Sequence, residues 1–305
     1  MVQLNQITKK FDSFTALDNI DLTIPTGSCF GLLGSNGAGK STILRLIAGI
    51  YRQDSGTVTV DGENVFDNIY AKERIFFIND ETVQFQGMTL NELKSFYMLY
   101  YPKFSTETFE KLNGIIKLPP DKKMGTFSKG MKRQAIVITA LSSGADYLML
   151  DEAFDGLDPT MRIIVKRMLV DAMIDRQLTA IISSHNLKEI NEVCDTVALL
   201  HKGKIIFSRE LDSVKSNIHK IQTAFNREYT KDDFPGMEIL HFERSHSVYH
   251  IITKGESVEL EAMLADKNPL FVDIVPLSLE EIFIYEMEGL GYDFNAITEK
   301  DALSD

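Results

Sequence analysis

The sequence predicts an α/β fold: a large layered domain built on a mostly parallel sheet, followed by a small α+β domain. Three observations carry this. From Met1 to about Phe207, short β-branched runs alternate with amphipathic helical stretches, and several runs are almost wholly apolar, as strands covered on both faces are. Between about Met88 and Ser143 the strand signal disappears and helical signals replace it. After about Ser216 the pattern changes again, to short alternating segments. A chain of 305 residues has room for one large domain and one small one. The expected divisions are residues 1–217, with a helical insertion at about 88–143, then 218–288, then a weakly ordered tail at 289–305.

In the large domain the expected strands are Val2 to Thr8, Asp21 to Ile24, Cys29 to Leu33, Thr57 to Val60, Arg74 to Ile78, Tyr147 to Leu150, Thr179 to Ser183 and Val197 to Leu200. Inside the insertion, Thr89-Leu90-Asn91-Glu92 reads as a capping box, and Ser105 with Glu107 opens a helix after the break at Pro102. Lys117-Leu118-Pro119-Pro120-Asp121 ends that helix, and another spans Lys129 to Leu141. Strands near Ile221 to Phe225, Glu238 to Phe242, Val248 to Ile252 and Leu270 to Val275, with helices near Val258 to Ala265 and Leu279 to Glu288, complete the small domain.

Composition narrows the function. With 32 basic against 44 acidic side chains and a formal net charge of -12, the chain lacks the basic surface that nucleic acid requires, so no nucleic-acid partner is expected. No run approaches the length of a spanning helix; the most apolar, Ala135 to Leu150, is interrupted by Ser142, Ser143 and Asp146. The N-terminus alternates like a strand and lacks the apolar centre of a secretory signal, so a cytoplasmic location is expected. Cys29 and Cys194 have no histidines at metal-ligand spacing and are read as buried free thiols.

Gly34-Ser35-Asn36-Gly37-Ala38-Gly39-Lys40-Ser41-Thr42 fits the phosphate-binding loop, between the apolar run Cys29 to Leu33 and the helical run Ile43 to Ile50. Glycines let backbone N–H groups turn inward on an oxyanion, and the following helix points its positive end at the same place. Lys40 adds a full charge near the terminal phosphates, and the Ser41 hydroxyl can coordinate Mg²⁺.

Phe127-Ser128-Lys129-Gly130-Met131-Lys132-Arg133 resembles the signature sequence of the ATP-binding cassette (ABC) ATPases. Tyr147-Leu148-Met149-Leu150-Asp151-Glu152 resembles their second nucleotide-site strand, Gly156-Leu157-Asp158-Pro159 their D-loop, and Ser184-His185 their switch histidine, all in the family's order. The resemblance covers most of residues 1–210 and implies a P-loop NTPase core with a helical subdomain. It implies an ATPase that binds ATP and Mg²⁺, with Asp151 on the metal, Glu152 as general base and His185 sensing the γ-phosphate. It places Phe11, or in its stead Phe14, on the adenine. It further implies a head-to-tail homodimer in which Ser128 and Gly130 serve the partner's nucleotide, and it counts Asp158 of the D-loop among the nucleotide-binding residues. The protein would lie on the cytoplasmic face of the membrane, powering a separate permease subunit.

The chain departs from the family where the Q-loop glutamine is expected, with Asn79-Asp80-Glu81 in its place. Asp80 could hold Mg²⁺ through water but cannot donate a hydrogen bond; Gln84 and Gln86 lie further along. The Ser-Lys-Gly-Met form of the signature resembles exporters of drugs and peptide antibiotics, as does Leu277 to Phe283, whose helix either regulates the dimer or packs on its own core. Phe96, Tyr97, Leu99, Tyr100 and Tyr101 either dock a membrane subunit or fill the insertion's core. His246 and His250 are expected on one strand face, with His241 nearby, as exposed histidines and not as a metal site. Two other classes fit a cassette sequence: a soluble ATPase acting on ribosomes or chromosomes, and a nucleotide-dependent regulatory subunit with little turnover.

Overall fold

A computed structural model describes residues 1–79, 85–152, 154–216, 218–275 and 277–289. In chain order, β1 (Val2–Phe11), β2 (Phe14–Ile24), β3 (Cys29–Leu33), α1 (Lys40–Ile47), β4 (Ser55–Val60), β5 (Glu63–Asn64), α2 (Ile69–Glu73) and β6 (Ile75–Ile78) come first. The helices α3 (Leu90–Tyr100), α4 (Thr106–Ile116) and α5 (Lys129–Ser142) follow. Next are β7 (Tyr147–Asp151), α6 (Pro159–Arg176), β8 (Thr179–Ser184), α7 (Leu187–Val193), β9 (Thr196–His201) and β10 (Lys204–Glu210). The last elements are α8 (Leu211–Ser216), β11 (Ile218–Ala224), β12 (Glu238–Ser245), β13 (Val248–Lys254), α9 (Ser257–Ala265), β14 (Phe271–Val275) and α10 (Leu279–Gly289). The chain forms two compact units, Met1–Ser208 and Arg209–Asp305.

The first unit holds two sheets. One is six-stranded, in the order β10-β9-β3-β8-β7-β6, and β6, β7, β8, β3 and β9 run parallel through it. Every residue of β3, β7 and β8 is buried, which accounts for the almost wholly apolar runs of β3 and β7 and the apolar centre of β8. The other sheet is four-stranded, in the order β2-β1-β4-β5, and its β1–β2 and β1–β4 pairs are antiparallel. Its strands alternate buried and exposed residues, as one-sided sheets do. The runs starting at Val2, Asp21 and Thr57 therefore belong to a sheet of their own and not to the parallel one. Helix α1 joins the two, burying Ile43, Leu44 and Ile47 in one cluster with Leu4 and Val58 of the four-stranded sheet and Phe30 and Met149 of the six-stranded one.

The insertion forms as its caps dictate. Thr89 Oγ1 accepts from the Glu92 N–H at 3.1 Å, while Glu92 Oε2 accepts from the Thr89 N–H at 2.7 Å, closing the capping box of α3. Ser105 caps α4 through the Thr108 N–H, and Lys117 ends it in the left-handed region. The aromatic run has two fates. Tyr97 and Tyr101 lie 5.0 and 5.1 Å from the buried Phe76 ring, whereas Leu99 is 80% and Tyr100 58% exposed.

In the second unit the sheet runs β12-β13-β11-β14, antiparallel throughout. Phe225, Tyr249, Ile251, Leu260 and Leu264 pack one of its faces against α9. Ser278 and Glu281 exchange hydrogen bonds at the start of α10, and Leu279 and Ile282 are buried. One sequence expectation fails here. His246 does not share a strand face with His250: it sits in the two-residue β12–β13 turn at φ +58°, because Ser245 pairs directly with Val248.

Thr89→Ala is expected to lower stability by about 1 kcal/mol. Urea unfolding followed by circular dichroism checks this, with an unchanged midpoint counting against the capping box.

Candidate active site

The site lies along the edge where the parallel strands end. Leu33 of β3 pairs with Ser184 of β8, and Asp151 of β7 with Ser183, so three strands bring their carboxyl ends to one level. The loop after β3 runs into α1. Gly39 caps that helix at φ +114°, where a side chain would also strike Leu17 Cδ2 at 2.7 Å. A Cβ on Gly34 would come within 2.5 Å of the Leu200 carbonyl oxygen, so only glycine lets the loop leave β3 so close to β9.

Lys40 lies folded over this loop, donating from Nζ to the Gly34 carbonyl at 2.7 Å and the Ser35 carbonyl at 3.2 Å. Burial pulls its pKa below the usual lysine value, while the charges of Glu152 and Asp151 act in the opposite direction. A pocket of about 340 Å³ is lined by Phe11, Phe14, Ala16, residues 36–42 and Glu152. Both aromatic candidates border it. Phe11 is held edge-on by Tyr51 at 5.3 Å, and Phe14 is 61% exposed.

Asp151 is buried at the end of β7. Its Oδ1 accepts from the Ser41 hydroxyl at 3.0 Å and from the Ser183 hydroxyl at 2.5 Å. The Ser41 and Asp151 oxygens form the hard donor pair that a Mg²⁺ ion takes. Asp80, the other metal candidate, lies outside the described residues, as does Gln84. Gln86 is tied to the loop before the signature, its carbonyl accepting from the Gly125 N–H.

Glu152 has a left-handed backbone at φ +47°, unusual for a residue with a side chain and held in place on every side. Its N–H is shared between the carbonyl and hydroxyl oxygens of Ser183 at 3.2 and 3.3 Å. Its carbonyl accepts from the Asp155 N–H at 3.1 Å and from Arg133 Nη2 at 3.5 Å. The carboxylate lies 3.0 Å from His185 Nδ1 and 4.0 Å from Lys40 Nζ. Asp155 lies in the same cluster as Glu152 and His185.

Sequence reading assigned no role to Ser183, Asp155 or Arg133. The Ser-Ser pair before His185 was the available signal for Ser183. Arg133 is 1% exposed and donates from Nη1 to the Asn79 carbonyl at 2.6 Å, a long-range contact that no local pattern encodes.

The signature residues stand apart from this pocket. Ser128 caps α5 through the Met131 N–H, and a Cβ on Gly130 would meet the Gly156 carbonyl oxygen at 3.0 Å. Asp158 caps α6 through the Met161 N–H at 3.0 Å. None of Ser128, Gly130 and Asp158 lines the pocket of their own chain.

Residues 17–155 match the family model described as ABC transporter. The bacitracin transport ATP-binding protein BcrA of Bacillus licheniformis is 30% identical, over 72% of this chain and 73% of that protein. The chain belongs to the ABC transporter ATP-binding proteins. It is an ATP-binding, ATP-hydrolysing subunit of that transporter family. ABC transporter ATP-binding protein YtrB of Bacillus subtilis is 29% identical across 95% of this ABC subunit and 99% of its own length, so the likeness extends through the second unit. A dimeric ATP-binding cassette solved with ADP and phosphate shares the fold of the first unit, with a TM-score of 0.62 at 19% identity, covering 69% of this chain and 99% of that one.

Ser183→Ala removes a hydroxyl that serves both Asp151 and the Glu152 N–H. Turnover is expected to fall about 10–100-fold. Phosphate release checks this, alongside titration with a fluorescent ATP analogue, in which affinity without Mg²⁺ stays near that of the wild type.

Proposed function

We propose that this ABC subunit binds MgATP between two copies arranged head to tail and spends its hydrolysis on export through a separate membrane-spanning permease. The observation that carries the chemistry is the Glu152 carboxylate at the pocket, 3.0 Å from His185 Nδ1 and 4.0 Å from Lys40 Nζ. The backbone N–H groups of Gly34 to Gly39 and the Lys40 ammonium hold the phosphates, and Phe11 or Phe14 covers the adenine. Ser41 and Asp151 would hold Mg²⁺, which offsets charge on the phosphates when bound. Glu152 takes the proton of the attacking water. His185, on the same carboxylate, keeps Glu152 oriented and reaches the γ-phosphate. Ser128, Gly130 and Asp158 act on the nucleotide of the other copy, in keeping with their distance from their own pocket.

The permease reading draws support from a groove of about 570 Å³ lined by Ile69, Tyr97, Leu99 and Tyr100 among others. Ile69 is 71% and Leu99 80% exposed, an apolar surface suited to a helix of a membrane partner. Among the described residues no helix is long and apolar enough to cross a membrane. The protein then sits on the cytoplasmic face of that membrane. Export is favoured by the Ser-Lys-Gly-Met form of the signature, and the likeness to a bacitracin transport protein supports a transport role.

Glu152→Gln is expected to cut turnover by about 10²–10⁴-fold while ATP still binds and the dimer accumulates. Phosphate release and size-exclusion chromatography with ATP test this; normal turnover removes Glu152 as base. Leu99→Glu is expected to abolish co-purification of a polytopic membrane protein from mild detergent while leaving the nucleotide affinity of the free subunit unchanged. Undiminished recovery would exclude the groove as the docking surface.

A further inference from the structure

Helices α6 and α7 start at residues already discussed, α6 at Asp158 and α7 just after His185, and two ion pairs clasp them together. Arg162 Nη1 meets Glu189 Oε1 at 3.0 Å, and Lys166 Nζ meets Glu192 Oε2 at 2.6 Å. The spacing is that of facing helix surfaces, four residues apart on α6 and three on α7. Lys166 is 8% exposed and lies over the Phe154 ring at 5.2 Å, so the loop ahead of Asp158 joins the same contact.

Glu189 is the centre of this arrangement. It is 4% exposed, and a carboxylate so buried is stable only where its oxygens are matched. One oxygen has Arg162. The other accepts from the Ser184 hydroxyl at 3.0 Å, and Ser184 Oγ in turn accepts from the Asn186 N–H at 2.9 Å. Ser184 and Asn186 flank His185 directly. Glu189 therefore fixes the backbone on both sides of the histidine and, through Arg162, ties it to the helix that Asp158 caps.

We propose that Glu189 is a positioning residue for hydrolysis: through Ser184 it holds His185 on the Glu152 carboxylate, and through Arg162 it makes that placement depend on how the Asp158 loop is seated. The N-terminal ends of α6 and α7 then respond together. A second copy docking on Asp158 sets the histidine as well, without touching it. This rests on the reading of Glu152 and His185 as the hydrolytic pair.

The test uses the assembled transporter in vesicles. Glu189→Ala is expected to lower kcat about 10–100-fold with KM for ATP nearly unchanged. Glu189→Gln, which keeps an acceptor for Ser184 and the side-chain volume, is expected to recover part of that loss, and it stands in if the alanine variant does not fold. Ser184→Ala combined with Glu189→Ala is expected to be no slower than the worse single variant, since both break one link. Unchanged kcat in a folded Glu189→Ala protein, or losses that multiply in the double variant, would overturn the proposal. Glu152→Gln and His185→Ala are run beside them. If those two keep full turnover, the hydrolytic assignment has failed; if they are inactive while Glu189→Ala is not, only the positioning role has.

Discussion

The buried carboxylate of Asp151 is the constraint on which the site is built. A polar oxygen buried at the closed end of β7 needs donors, and it receives two hydroxyls, Ser41 from the first turn of α1 and Ser183 from β8. Those bonds pin the phosphate loop, the second carboxylate and the histidine strand to one another. Ser183 is used twice, because its oxygens also receive the Glu152 N–H and thereby sustain that residue's left-handed backbone. Neither Asp151 nor Glu152 has its place without the other, which is why adjacent residues can face different tasks.

Much of the fold was legible because its strands are of extreme kinds. Buried parallel strands such as β3 and β7 are almost wholly apolar runs, and the caps at Thr89 and Ser105 announce their helices. Sequence reasoning gave no range to α6, α7 or α8, and of the other elements it passed over, β5, α2 and β10 are short or mostly exposed and carry no such pattern. In α2 the apolar Ile69 and Tyr70 face outward, reversing the rule by which helices are recognised. The separation of the antiparallel sheet from the parallel one could not be read from the runs themselves, since β4 returns to pair with β1 only after β2, β3 and α1 intervene.

At the site, sequence named the residues that make up contiguous motifs and missed those that act from a distance. Gly34 to Thr42, Asp151-Glu152 and His185 converge at the strand ends. Arg133, Asp155 and Ser183 converge on them from α5, the turn after Glu152 and β8, through hydrogen bonds that only the folded chain brings within reach. The signature residues show a third behaviour. They stand away from their own pocket, with Gly130 set against Gly156 of the D-loop, in keeping with a proposed task on a second copy.

The chain's two cysteines face each other in the interior, Cys29 on the central strand and Cys194 at the end of α7, with sulfurs 3.7 Å apart. The neighbouring thiol, and then burial, lift the Cys194 pKa well above the ordinary cysteine value, and both sulfurs are buried. Alkylation at either sulfur has to wait for the strand beneath the phosphate loop to part from its neighbours. The pair is thus a built-in clock: the rate at which a thiol reagent consumes it measures how often the catalytic core breathes open, without any label being introduced.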